Sequence, residues 1–165
     1  MSAIASKSLE NRNSLLRPIV LGGMFIFISQ IIHQWIVITL LQKTPFILIW
    51  QYIASGALGN AAFEGGIATA LLGVFFHLII SFVIAGVFIL AADRIPLLRR
   101  NAIVGSLLYG FGVFIVMNMI VTPLSATPPL PAPTLPWLAE AIIEHTLLVG
   151  LPLGMLIRRN ANIKI

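Results

Sequence analysis

From Pro18 to Leu41 the chain runs without a single Asp, Glu, Lys or Arg, and the stretches 66–92 and 102–121 do the same. A fourth apolar stretch, 138–157, carries only Glu140 and Glu144. A helix needs about 20 mostly apolar residues to cross a hydrocarbon core of about 30 Å. These runs therefore predict an all-α membrane protein with four transmembrane helices, at about 18–41, 66–92, 102–121 and 138–157. Asp93-Arg94 and Pro96 close the second helix, Pro123 the third and Arg158-Arg159 the fourth. The first follows Lys7, Arg12 and Arg17, as a signal peptide would follow its basic start. Its apolar run is far longer than the ~7–15 residues of a signal core, and no small-x-small cleavage pattern follows, so it is expected to be retained.

Composition agrees. Of 165 residues, 59% are hydrophobic and 9% charged, with a mean hydropathy of +1.03. A soluble domain sits nearer ~45–50% apolar and ~25% charged. Soluble enzymes, disordered tails and nucleic-acid-binding domains are set aside. The net charge of +5 reads as an orientation signal rather than as an affinity for nucleic acid. With no cysteine there is no disulfide, thiolate metal site or thiol nucleophile.

The basic residues set the topology. Lys7, Arg12 and Arg17 precede the first span, Arg94, Arg99 and Arg100 join the second to the third, and Arg158, Arg159 and Lys164 follow the fourth. Four spans place these nine on one side and Lys43 alone on the other. The positive-inside rule then puts both termini and the 93–101 loop in the cytoplasm, the chain being one transmembrane domain, 1–165.

Two segments fall on the outer side. Residues 46–64 are apolar but hold Trp50, Gln51, Tyr52, Gly56, Gly59 and Asn60, which predicts an interfacial or shallow re-entrant helix with its aromatic rings at headgroup level. Residues 122–136 contain six of the ten prolines and are expected to form a stiff, extended Pro-rich outer loop.

Within the second span, Gly66, Thr69, Ala70, Gly73, His77, Ser81 and Ala85 recur at three- and four-residue steps along one face. Small residues allow backbones to approach, so this face and His77 should point into the bundle. Ser106/Gly110 and Gly150/Gly154 form similar pairs, with a kink expected at Pro152. Counting about 1.5 Å per residue puts His33 ~12 Å, His145 ~10 Å and His77 ~18 Å below the outer end of their helices. Ser29, Gln30 and Gln34 accompany His33, Glu140 and Glu144 accompany His145, and Glu64 sits at the mouth of the second span. Asn118 is the polar group of the third. Glu140 is expected to be an exposed interfacial carboxylate. Glu144 and His145, being adjacent, should point about 100° apart.

The candidate polar cluster is thus His33, His77, Glu64, Glu144 and His145. Three roles are open to it: interhelical hydrogen bonding, a proton or solute path, and a metal or haem site. No His-x-x-x-His pair supports the last, and no cofactor is expected. Ser81, four residues after His77, should bond back to its own helix rather than act as a nucleophile.

The order His77-x3-Ser81-x3-Ala85-Gly86, an Arg/Pro loop, Pro123, Thr127-Pro128-Pro129, Pro136-Trp137, a Glu, His145 and Arg158-Arg159 resembles the YagU-type family of uncharacterised bacterial inner-membrane proteins, over about residues 69–159. The resemblance implies a small multi-span plasma-membrane protein and carries over no catalytic residue. The function expected from all this is a non-catalytic accessory or envelope component. A transporter or proton-conducting protein using the His/Glu cluster is the alternative, and an intramembrane metal or haem protein comes third. The expected partners are the lipid bilayer and a homo-oligomer or larger membrane complex, with no nucleic acid.

Overall fold

The computed structural model describes the backbone of residues 2–129 and 131–161, and side chains of 15–129 and 131–159. Lys164 and the side chains of Lys7 and Arg12 lie outside the described residues. Helix α1 (Ser2–Gln34) continues as a π-helical stretch, Trp35–Leu41. Helix α2 (Phe46–Leu58) ends in a 3-10 turn, Gly59–Phe63. Helix α3 is Gly66–Arg94 and the short α4 is Pro96–Arg100. Helix α5 (Ala102–Val116) passes through a second π stretch, Met117–Val121, into α6 (Thr122–Leu124). Helix α7 (Leu135–Glu144) passes through a third, His145–Gly150, into α8 (Leu151–Ala161). Among the described residues there is no strand.

Five stretches are long and apolar enough to cross a membrane: Leu15–Leu41, Phe46–Phe63, Gly66–Arg94, Ala102–Leu124 and Leu135–Arg159. Four match the expected spans to within a few residues. The fifth is the segment expected to be interfacial or re-entrant, which is helical and by length and composition alone is a candidate span as well.

Glycines set the packing. A Cβ on Gly22 would meet Leu153 and Ala85, and one on Gly23 would meet Phe82. Across α5, a Cβ on Gly110 would strike the His145 carbonyl, while Gly150 and Gly154 lie against the backbone around Ser106 and Ala102. Without side-chain bulk the helix axes come close, and dispersion contacts replace the hydrophobic drive that lipid cannot supply. These contacts pair α1 with α3, α1 with α8 and α5 with α8 in antiparallel register. Leu41, Gly66, Leu124 and Leu135 consequently gather at one end of the bundle, and Arg94, Arg100 and Arg158 at the other. The largest buried side chains, Phe88, Ile26, Ile89 and Leu153, fill the centre. Tyr109 lies tilted against Phe88 (centroids 5.0 Å apart) and its hydroxyl donates to the Ile84 carbonyl at 2.8 Å, tying α5 to α3.

Helix α2 is placed by α3 and by the Pro-rich loop. Gly73 faces the Trp50 backbone, and the Trp50 ring lies 5.7 Å from that of His77. The Gln51 amide donates to the Gly66 carbonyl at 3.1 Å, and the Ala126 N–H donates to the Gly56 carbonyl at 3.0 Å. Trp50 therefore lies level with Gly73 to His77, about 10–16 Å from Gly66 along α3. The far end of α2 lies against the loop that follows α6.

The helix that carries the first span, α1, runs through Pro18 from Ser2; loss of one amide bond is absorbed by the cooperative helix on either side. One expectation needs correction. The Pro-rich segment is not extended throughout. Thr122–Leu124 are helical, and Leu135-Pro136 open α7, where the fixed φ of proline suits a first turn. Thr134 caps that turn, accepting from the Trp137 N–H at 3.4 Å. Just before Pro152, where a kink is expected, lies the π-helical stretch His145–Gly150.

Gly73→Leu should lower stability by about 1–3 kcal/mol or more, since it overpacks a backbone contact. Leu71, 62% exposed on the opposite face, should tolerate Ala within about 0.5 kcal/mol. Reversible unfolding in detergent measures both, and equal tolerance would remove the α2–α3 contact from this description.

Candidate functional site

Glu140 and Glu144 are four residues apart on α7 and so share one face. That face meets α1 at His33. The His33 Nε2 lies 3.0 Å from Glu140 Oε1, and its Nδ1 lies 3.4 Å from Glu144 Oε1. The second contact is within ion-pair distance but off the hydrogen-bond line, which leaves Nδ1 buried without an aligned partner. The Gln34 amide donates to Glu144 Oε1 at 3.4 Å. Glu144 is only 6% exposed and Gln30, one turn before Gln34, is 8% exposed.

Both helices become π-helical directly after these residues, α1 at Trp35 and α7 at His145. A π turn takes an extra residue and so rotates everything beyond it, and such turns concentrate at functional sites. Here the α-helical register before each widened turn aims His33, Glu140 and Glu144 at one another. Glycine contacts with α5 and α1 set the positions of the helical segments beyond.

His145 turns away from this centre. Its Nδ1 donates to the Ala141 carbonyl at 2.8 Å, leaving Nε2 as the acceptor in the neutral ring, and the ring edge rests on Phe114 with centroids 5.8 Å apart. Glu144 Oε2 is 3.8 Å from His145 Nδ1. His77 is held apart on α3 between Phe27 (5.5 Å) and Trp50, with its Nε2 buried and unpartnered. The Ser81 hydroxyl donates to the His77 carbonyl at 2.8 Å, the back-bonding expected of it. Glu64 is exposed at the end of the 3-10 turn and does not join the cluster. Asn118 likewise bonds locally, to the Phe114 carbonyl at 3.0 Å.

Glu140 is the main departure from expectation. It is not a free interfacial carboxylate but the partner of His33, and its four-residue spacing from Glu144 was the signal that could have shown this. The ligand atoms of His33, Glu140 and Glu144 lie within 4.8 Å of one another, a set of one nitrogen and two oxygens that could hold a cation. Among the described residues no Lys or Arg lies within ion-pair distance of either carboxylate. With both carboxylates ionised and His33 protonated, the centre is still one positive charge short. Beside it is an open cavity of about 430 Å³, lined by the same three residues and by Ala139, Ile143 and Leu147, its exposed lining almost wholly apolar.

No protein family, curated protein or solved structure matches this chain.

Removing the Glu144 carboxylate strips both His33 and Gln34 of a partner. Glu144→Ala should therefore destabilise the fold by about 1–3 kcal/mol. Glu64→Ala should stay within about 0.5 kcal/mol. Matched unfolding curves in detergent check this, and equal effects would detach Glu144 from the cluster.

Proposed function

We propose that this is a multi-pass protein of a bacterial plasma membrane whose work is to exchange protons, and cations that compete with them, at His33, Glu140 and Glu144. The role is non-catalytic, moving charge rather than making bonds. The observation that carries it is the imidazole set between two carboxylates in a chain segment apolar enough to cross a membrane. Ionisable groups at such depth are expensive, and they recur where protons or ions move. Interhelical bonding accounts for Gln34 and for the His145 contact to its own helix. It does not account for a doubled carboxylate against one imidazole, for an unaligned His33 Nδ1 or for the adjoining cavity. Further in, His77 carries another unpartnered ring nitrogen, level with Phe27 and so about 9 Å below His33 along α1. It extends the polar groups toward the Arg94 end.

In this reading α1, α3, α5–α6 and α7–α8 form four spans with both termini cytoplasmic, and α2 is a re-entrant helix entered from the outer side. The shared end of Leu41, Gly66, Leu124 and Leu135 supports it, as does the clustering of arginines at the other end. Reporter fusions after Leu41 and within 124–134 should read as outside, and fusions after Arg100 and at the C-terminus as inside. An inside-facing Pro-rich loop would make α2 a fifth span and overturn this topology.

The proton reading is tested in proteoliposomes holding a trapped pH-sensitive dye, with a potassium diffusion potential as the driving force. The wild-type chain should carry protons faster than empty liposomes. Glu144→Gln, which keeps a hydrogen-bonding group but cannot titrate, should abolish that flux, whereas Glu64→Gln should retain it. A folded Glu144→Gln variant with undiminished flux would sink the proposal.

A further inference from the structure

We infer that the cavity beside His33, Glu140 and Glu144 is a binding site for an organic cation, an ammonium or its equivalent carried on an apolar body. This rests on the reading of the cluster as a proton- and cation-exchange centre, and names what exchanges.

Size is the first argument. A cavity of about 430 Å³ falls within the roughly 300–1,000 Å³ range of pockets for drug-sized molecules and is far larger than a bare metal ion requires. Its lining is the second. Ala139, Ile143 and Leu147 supply apolar wall, and Ile143 and Leu147 are 57% and 47% exposed on the outer surface of the bundle, so the cavity lies beside the face turned to lipid. Charge is the third. When both are ionised, Glu140 and Glu144 bring two negative charges, and among the described residues His33 is the basic group in contact with both, so a bound cation beside a protonated His33 restores neutrality. A bare metal ion would use the three ligand atoms and leave the apolar wall unfilled, whereas an ammonium on an apolar body uses both the carboxylates and the wall. A lipid amine headgroup and a free amphiphilic amine share this chemistry.

The test uses the full chain in nanodiscs of phosphatidylglycerol and phosphatidylcholine. Tetraphenylphosphonium, a permanent cation with an apolar body, should bind at one per chain, and neutral triphenylphosphine oxide should not. Glu144→Gln and Glu140→Gln should each weaken tetraphenylphosphonium binding by at least about tenfold. Leu147→Trp fills the cavity from its exposed side without touching the charged groups. It should lose tetraphenylphosphonium binding while keeping the unfolding midpoint, which guards against variants that merely misfold. Adding phosphatidylethanolamine to the nanodiscs identifies the source: competition assigns the site to the lipid amine, and no competition to a free amphiphile, both supporting the inference. Equal binding of the neutral analogue would reduce the site to an apolar groove and overturn it. So would tight, Glu144-dependent zinc binding without tetraphenylphosphonium binding. Proton flux that persists in a wild-type chain unable to bind the cation would overturn this inference alone. Absence of both would remove the proton reading with it.

Discussion

The close backbone approach of α5 to the helix running from α7 into α8 is the contact on which the rest of the structure depends. Gly110, Gly150 and Gly154 leave no room for a side chain between these segments, so their rotation about their own axes is fixed by backbone atoms. In lipid the alternative surroundings are as apolar as the bundle itself, and such contacts, rather than exclusion from water, must hold helices together. Once the segment after Gly150 is set in this way, the π turn at His145–Gly150 determines the direction faced by the α7 residues before it. Glu140 and Glu144 then meet α1 rather than lipid.

A second constraint acts from the other side. Gly22 lets α1 lie against Ala85 of α3 and Leu153 of α8 together, and the antiparallel register that follows carries His33 to the level of Glu140 and Glu144. The polar centre is thus a consequence of two small-residue contacts deeper in the bundle. Its cost is offset within the site, where His33 and Gln34 supply partners for Glu144.

Helix α2 shows how an apolar segment of intermediate length is placed by its neighbours. Its composition allows either a span or a dip part-way into a bilayer. What places it is the Trp50 backbone in the groove left by Gly73, the Gln51 amide on Gly66, and the bond from Ala126 to Gly56. The same contacts put the Trp50 ring over His77, joining α2 to the second buried imidazole.

The sequence by itself determined the helical class, the position of four long apolar stretches to within a few residues and the small face of α3. Uncharged length and three- to four-residue periodicity follow from bilayer thickness and helical geometry, and both can be read locally. The pairing of His33 with Glu140 and Glu144 was decided only by the tertiary structure, because it joins residues over a hundred positions apart. It turns on the rotation of two helices, which the π stretch after α7 alters for one of them and which no local pattern announced. Glu64 and Glu140 show the difference most clearly. Each is a carboxylate near a helix mouth, yet one ends exposed on a turn and the other lies against an imidazole, because helix rotation decides which surface each side chain meets.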